Sequence, residues 1–137
     1  MKGDEVLERM RPVLQAMEQI HKKGIIHRDI SPNNLMITKD HKLKLIDFGE
    51  AIKVESGSEH SVLKNAGYSA IEQSSPQGEL GPWTDIYALG VLLNIMLTGE
   101  HPSRKLASGR MGRIVQRCTM VNPEKRYKNI LHLMEVL

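Results

Sequence analysis

The sequence predicts a mainly α domain with one small β-hairpin, an α+β fold, on three observations. Apolar residues recur at steps of three and four between positions 4 and 23, the period of a helix with one buried face. Residues 86–97 are apolar on nearly every side, which suits a helix enclosed by protein. Two short β-type runs, 35–37 and 43–46, flank five polar residues, and this pattern predicts a hairpin.

The predicted elements follow in order along the chain. The first helix ends at Lys22, Lys23 and Gly24, and Pro12 either kinks it or starts its second segment. After the hairpin, residues 50–66 carry turn-formers without periodicity and predict a mobile loop. A central helix over 84–98 ends at a glycine and then a proline. Two further helices are predicted on the apolar faces of 111–118 and 130–137.

Composition sets limits on the function. At 137 residues and 15.5 kDa, the chain forms one domain with a real core. Its net charge of +3 is spread without a dense basic cluster, so nucleic acid is not an expected partner. The single Cys118 forms no internal disulfide and fits a reducing compartment. The longest apolar stretch is too short for a membrane span, so a cytoplasmic protein with no membrane partner is expected.

Three side chains carry the chemistry expected of phosphoryl transfer. A hydroxyl that attacks a γ-phosphate must lose its proton, and Asp29 supplies an acceptor. Mg²⁺ takes few protein oxygens and keeps the rest of its shell for phosphate and water, so Asn34 and Asp47 suffice as ligands. The predicted hairpin holds Asn34 at one end and Asp47 at the other. Because a hairpin is a rigid frame, both ligands are expected to be well placed.

The loop 27–34, HRDISPNN, and the turn 47–49, DFG, resemble the catalytic loop and metal-binding turn of protein kinases. The resemblance implies that Asp29 is the catalytic base and that Asn34 and Asp47 bind the magnesium of Mg–ATP. It also implies that Met36 forms the floor under the adenine.

The same resemblance assigns neighbouring residues. Arg28 would face the activation segment, residues 47–72, where a phosphate on one of three serines could pair with it. His27 and Phe48 would be hydrophobic scaffold residues. The serines are Ser56, Ser58 and Ser61.

Later stretches resemble the same family in the same order. Residues 67–73 are similar to the family's G-Y-x-A-P-E motif, with Ile71 in place of proline. Glu72 of this stretch would form a bidentate ion pair with Arg126. Residues 81–90 look like the start of the family's central helix, whose Asp85 would accept hydrogen bonds from the backbone near His27.

Only 26 residues precede His27, and they contain no glycine-rich loop and no strand-like run. The resemblance therefore implies the large C-terminal lobe of a kinase over residues 1–137, with the N-terminal lobe absent from this chain and supplied by an upstream segment or a partner protein. Ser31 and Asn65 replace a lysine and a threonine that usually approach the γ-phosphate, which weakens its electrostatic stabilisation. The closest similarity is to small bacterial kinases of the eukaryotic-like serine/threonine type.

The expected function is ATP-dependent phosphorylation of serine or threonine hydroxyls on proteins. One alternative is a small-molecule phosphotransferase, a class that shares the aspartate–asparagine loop but lacks the 67–73 segment and a partner for Arg126. The other is a catalytically silent binding module that docks a partner on the hairpin surface around Leu35 and Met36.

Overall fold

The computed structural model describes residues 2–53, 69–74 and 78–137. Within these ranges, four α-helices pack around one core, and four short strands pair into two antiparallel two-stranded sheets. The helices are α1 Gly3–Lys22, α2 Pro82–Thr98, α3 Gly109–Cys118 and α4 Ile130–Val136. The strands are β1 Ile25–Ile26, β2 Leu35–Ile37, β3 Leu43–Leu45 and β4 Ile52–Lys53. None of the described helices is both long and apolar enough to cross a membrane.

Helix α1 confirms the predicted periodic helix within one residue at each end. Its buried stripe faces α2, α4 and the hairpin. Pro12 lies inside the helix and neither ends it nor begins a second one. Pro12 cannot donate the backbone hydrogen bond of its turn. Burial of its neighbours Val13 and Leu14 against the core stabilises the helix there in spite of that loss. The stripe consists of Val6, Met10, Val13, Leu14 and Met17.

Helix α2 is the central element of the core, as predicted. It begins at Pro82, two residues earlier than expected, because proline is well suited to the first helical position. It ends at Thr98, and the next residue, Gly99, caps it with a left-handed φ of +81°. A Cβ added to Gly90 would lie 2.4 Å from the Cβ of Cys118, so α2 and α3 approach each other closely at this point.

The predicted hairpin forms as β2 and β3, paired in the register Leu35 with Leu45 and Ile37 with Leu43. A second sheet pairs β1 with β4, Ile26 opposite Ile52, and the sequence did not predict it. Each of these strands has two residues, too few for a periodic pattern. The prediction of a loop over 50–66 is therefore wrong at β4, and residues 54–66 lie outside the described part of the chain.

Cys118, the last residue of α3, is fully buried where that helix approaches α2, and burial raises the pKa of its thiol to about 12. An unfolded thiol ionises near pH 8.5, so above that pH unfolding releases a proton that the folded chain retains. We expect the free energy of unfolding to fall by up to about 1.4 kcal/mol per pH unit between roughly pH 9 and 12. Chemical denaturation at a series of pH values measures this slope.

The variant Cys118→Ala provides the comparison for this slope. Burial also raises the pKa of Tyr127, so some fall in stability at high pH remains in the variant. The difference between the wild-type and Cys118→Ala slopes gives the contribution of the thiol. Equal slopes would contradict the assignment of Cys118 as a buried protonated group.

Candidate active site

The loop 27–34 is anchored to the first turn of α2 by Asp85. The backbone N–H groups of His27 and Arg28 donate to the two oxygens of this carboxylate, each at 2.9 Å. The ring nitrogen Nε2 of His21, on α1, lies 2.8 Å from the same carboxylate. Asp85 is only 1% exposed, so these contacts are screened little by water. The predicted contact between Asp85 and the loop backbone is confirmed.

Asp29 and Asn34 are in direct contact. The 3₁₀ turn Pro32–Asn34 folds the chain back, so that the amide nitrogen of Asn34 donates to the carboxylate of Asp29 at 2.9 Å and to its backbone carbonyl at 2.6 Å. Asp29 is half-buried and Asn34 is buried. The contact fixes both side chains and turns the carboxylate of Asp29 toward the asparagine.

Asp47 comes to this site through the hairpin. The N–H of Ile46 donates to the carbonyl of Asn34 at 2.8 Å, so Asp47 directly follows a residue paired with Asn34. Its φ is +58°, in the left-handed region, and its exposed carboxylate accepts a hydrogen bond from the N–H of Gly49 at 3.0 Å. The structure thus joins Asp29 to Asn34 by side chains and Asn34 to the Asp47 turn by backbone.

The donor chemistry of these residues fits magnesium. Because the amide nitrogen of Asn34 is committed to Asp29, its oxygen is the atom that remains for a cation. One amide oxygen and the carboxylate of Asp47 form the sparse set that Mg²⁺ uses when phosphates and water complete its shell. In the described ranges, no three His, Cys, Asp or Glu side chains are grouped to hold a metal by themselves.

His27 and Phe48, which are close in sequence to Asp29 and Asp47, pack against each other. Their rings meet edge to face with centroids 4.9 Å apart, and His27 is fully buried. The interpretation of His27 as a scaffold residue agrees with this burial. Phe48 remains 46% exposed, so it is a scaffold residue on one face and part of the surface on the other.

Arg28 is bound by Gln73, for which the sequence predicted no role. Its guanidinium Nε donates to Gln73 Oε1 at 3.0 Å, and Gln73 Nε2 donates to the Arg28 carbonyl at 3.1 Å. Both side chains are buried. Burial lowers the pKa of Arg28, against the opposing charges of Glu50 and Asp85. The only sequence signal for Gln73 is its position directly after Glu72.

Glu72 and Arg126 form the predicted bidentate pair, with N–O distances of 2.7 and 3.2 Å. Arg126 is 1% exposed and Glu72 is 8% exposed. The hydroxyl of Thr84, on α2, also donates to Glu72, at 2.9 Å. The pair therefore locks the 3₁₀ turn Ile71–Ser74 onto α2 and the loop before α4. Arg126 donates further to the carbonyls of Met120, Val121 and Trp83.

Exposed apolar side chains follow Asn34 along β2. Met36, two residues after Asn34, is 56% exposed, and Ile37 is 62% exposed. These two neighbours on β2 point to opposite faces of the hairpin, and Leu35 is partly buried against the core. The hairpin surface is the surface around Leu35 and Met36. Several predicted positions fall outside the described residues, so their surroundings are not assigned. They are Ser56, Ser58, Ser61, Asn65, Gly67 and Tyr68.

Comparison with known proteins places the amino-acid sequence in a family. The family model of the protein kinase domain matches residues 1–135. Similar curated proteins include sperm motility kinase 2B of Mus musculus, 37% identical over 103 residues, which are 74% of this chain and 21% of that protein. Maternal embryonic leucine zipper kinase of Danio rerio is 38% identical over 95 residues, 67% of this chain and 14% of that protein.

A bacterial relative is similar to the same degree. Serine/threonine-protein kinase PknL of Mycobacterium tuberculosis is 38% identical over 96 residues, which are 68% of this chain and 24% of that protein. The chain thus spans a quarter or less of the length of these relatives. Since the family model covers nearly all of its residues, the chain belongs to the protein kinase domain family.

Proposed function

We propose that the chain is the C-terminal, large lobe of a protein kinase and that it contributes to ATP-dependent phosphorylation of serine or threonine hydroxyls on proteins. The observation that carries the proposal is the hydrogen bond between Asn34 and Asp29, together with the backbone bond that brings the Asp47 turn to Asn34. These contacts unite a proton acceptor and two oxygen ligands from three separate points of the sequence.

Each residue has a distinct role in this proposal. Asp29 accepts the proton of the substrate hydroxyl. The hydroxyl oxygen bonds to the γ-phosphorus while the bond between that phosphorus and the leaving ADP oxygen breaks. Asn34 and Asp47 would hold Mg²⁺, which when bound would neutralise charge on the phosphates. Asp85 and Glu72 take no part in the reaction itself. Asp85 fixes the loop 27–34 on α2, and Glu72 fixes the 3₁₀ turn Ile71–Ser74 on α2.

The exposure of Met36 on the hairpin surface supports the expectation that a ligand or another domain covers it in the active enzyme. Met36, two residues after Asn34, is 56% exposed, so its side chain is accessible to a ligand or to a covering domain. We propose that Met36 contacts the adenine and that an N-terminal lobe, from an upstream segment or a partner protein, closes over it. A cytoplasmic site of action and a bacterial type of kinase belong to the same proposal.

Binding of Mg–ATP tests this function without requiring turnover. A ligand at a hundred times its Kd stabilises a protein by about 2.7 kcal/mol, which is a rise of several degrees in the melting temperature of a small domain. We expect ATP to raise the melting temperature of the natural full-length protein with Mg²⁺ and to raise it less with EDTA. Transfer of labelled phosphate to a Ser/Thr-containing protein such as casein should follow the same dependence on Mg²⁺.

A silent binding module is the second candidate, because the hairpin surface is exposed. That function requires no cation, so a melting temperature that ignores Mg–ATP, together with no phosphate transfer, would select it. The small-molecule phosphotransferase is less favoured, because the Glu72–Arg126 pair is formed and that class has no counterpart of it.

A further inference from the structure

The backbone at Arg28 is strained and must be held by its surroundings. Its φ of +76° lies in the left-handed region, which costs a non-glycine residue on the order of 1–3 kcal/mol. The described contacts that hold it come from two elements. Asp85 on α2 binds the N–H of Arg28, and Gln73 binds both its carbonyl and its guanidinium.

Gln73 itself is rigidly placed. It is 1% exposed, and its N–H donates to the carbonyl of Ala70 at 3.1 Å. Its neighbour Glu72 is locked to Arg126. Both ends of the Gln73 side-chain amide are used on one residue, Arg28, so the side chain cannot rotate without breaking two buried hydrogen bonds.

The carbonyl of Arg28 and the N–H of Asp29 belong to one planar peptide unit. Gln73 Nε2 binds the carbonyl end at 3.1 Å. His27 Nδ1 binds the N–H end at 3.1 Å. The orientation of this plane sets the direction in which the Asp29 side chain leaves the backbone, so the two contacts together fix Asp29.

We propose that Gln73 is a positioning residue for the proposed phosphoryl transfer, which it serves by holding the Arg28–Asp29 peptide in the orientation that aims Asp29 at the substrate hydroxyl. The expected effect on rate rests on the proposed function. The structural part of the inference rests on the hydrogen bonds between Gln73 and Arg28. Without Gln73, Arg28 can relax to a common φ, and the peptide plane rotates with it.

Two substitutions separate a positioning role from simple stabilisation. Gln73→Met keeps the length of the side chain and removes both hydrogen bonds. Gln73→Glu keeps an acceptor for the Arg28 guanidinium but replaces the donor that faces the Arg28 carbonyl with an oxygen. The exposed glutamine of α3, Gln116, provides matched controls in Gln116→Met and Gln116→Glu.

We expect both Gln73 variants to lower kcat by about 30- to 100-fold, because misplacing a reacting group by about 1 Å costs on this order. The KM for ATP should change by less than about threefold, since the proposed magnesium ligands are untouched. The Gln116 variants should match the wild type in both. Assays are run well below the lowest melting temperature, and a kcat within threefold of the wild type in both Gln73 variants would overturn the proposal.

Hydrogen–deuterium exchange distinguishes failure of this inference from failure of the proposed function. Gln73→Met should speed exchange in the peptide covering residues 27–34 and leave exchange in the middle of α2 unchanged. If the wild type transfers no phosphate, the proposed function fails, and faster exchange in residues 27–34 still supports the structural part. Unchanged exchange in that peptide would overturn the positioning role by itself.

Discussion

Replacing Asp47 with asparagine is expected to lower phosphoryl transfer by about a thousand-fold or more while the fold is retained. The substitution removes the charge of one of two proposed magnesium ligands, and a bound cation contributes several kcal/mol to such a transition state, of which about 4 kcal/mol corresponds to a thousand-fold. The side chain is exposed. Its hydrogen bond from the Gly49 N–H can be made equally by the asparagine oxygen, so the stability cost should be below about 1 kcal/mol.

The measurement pairs steady-state transfer of labelled phosphate with chemical denaturation of the same protein. Asp4→Asn, at an exposed position in the first turn of α1, controls for loss of one carboxylate anywhere on the surface and should retain activity. Persistent turnover in Asp47→Asn at more than about a tenth of the wild-type rate would remove Asp47 from the proposed metal site, since tenfold is only about 1.4 kcal/mol.

Replacing Arg126 with methionine is expected to lower the free energy of unfolding by about 3–5 kcal/mol, the cost of breaking a buried ion pair by removing one partner. The carboxylate of Glu72 would be left buried without its charge partner. Three backbone carbonyls would also lose their donor. Because small domains have only about 5–15 kcal/mol of stability, the variant should approach the limit of folding.

A double-mutant cycle with Glu72→Gln tests whether the effect comes from the pair. The two changes together should cost less than the sum of the separate costs, because the double variant leaves no unpaired buried charge. Arg113→Met, at an exposed position on α3, should change the free energy of unfolding by about 0.5 kcal/mol or less. An Arg126→Met cost close to that of Arg113→Met would show that the pair does not hold the 3₁₀ turn Ile71–Ser74 in place.

The elements that could be predicted from sequence are those with enough residues to show a period. Helix α1 repeats its apolar step over five turns, and α2 is apolar on nearly all sides, so both were found within two residues. The sheet of β1 and β4 was missed because Ile25–Ile26 and Ile52–Lys53 are too short to alternate. Their pairing is a tertiary contact between distant residues, and it ties the entry of the loop 27–34 to the chain after Asp47.

The predictable part of the candidate site consists of residues with charge or a distinctive motif. Asp85 and the Glu72–Arg126 pair were predicted from the family resemblance, and their contacts are confirmed. Gln73 was missed because a neutral amide carries no signal of its own, and its role depends on the left-handed backbone of Arg28.

Paramagnetic broadening by Mn²⁺ is the most direct test of the proposal that Asn34 and Asp47 bind a single divalent cation beside Asp29. Amide NMR spectra of the natural full-length protein, the form used for the melting experiment, are recorded with ATP, then with small additions of Mn²⁺ in place of Mg²⁺. We expect the signals of Asn34, Asp47 and Gly49 to broaden first and Asp47→Asn to abolish this selectivity. Broadening that is uniform, or centred on other residues of the wild type, would contradict the proposal.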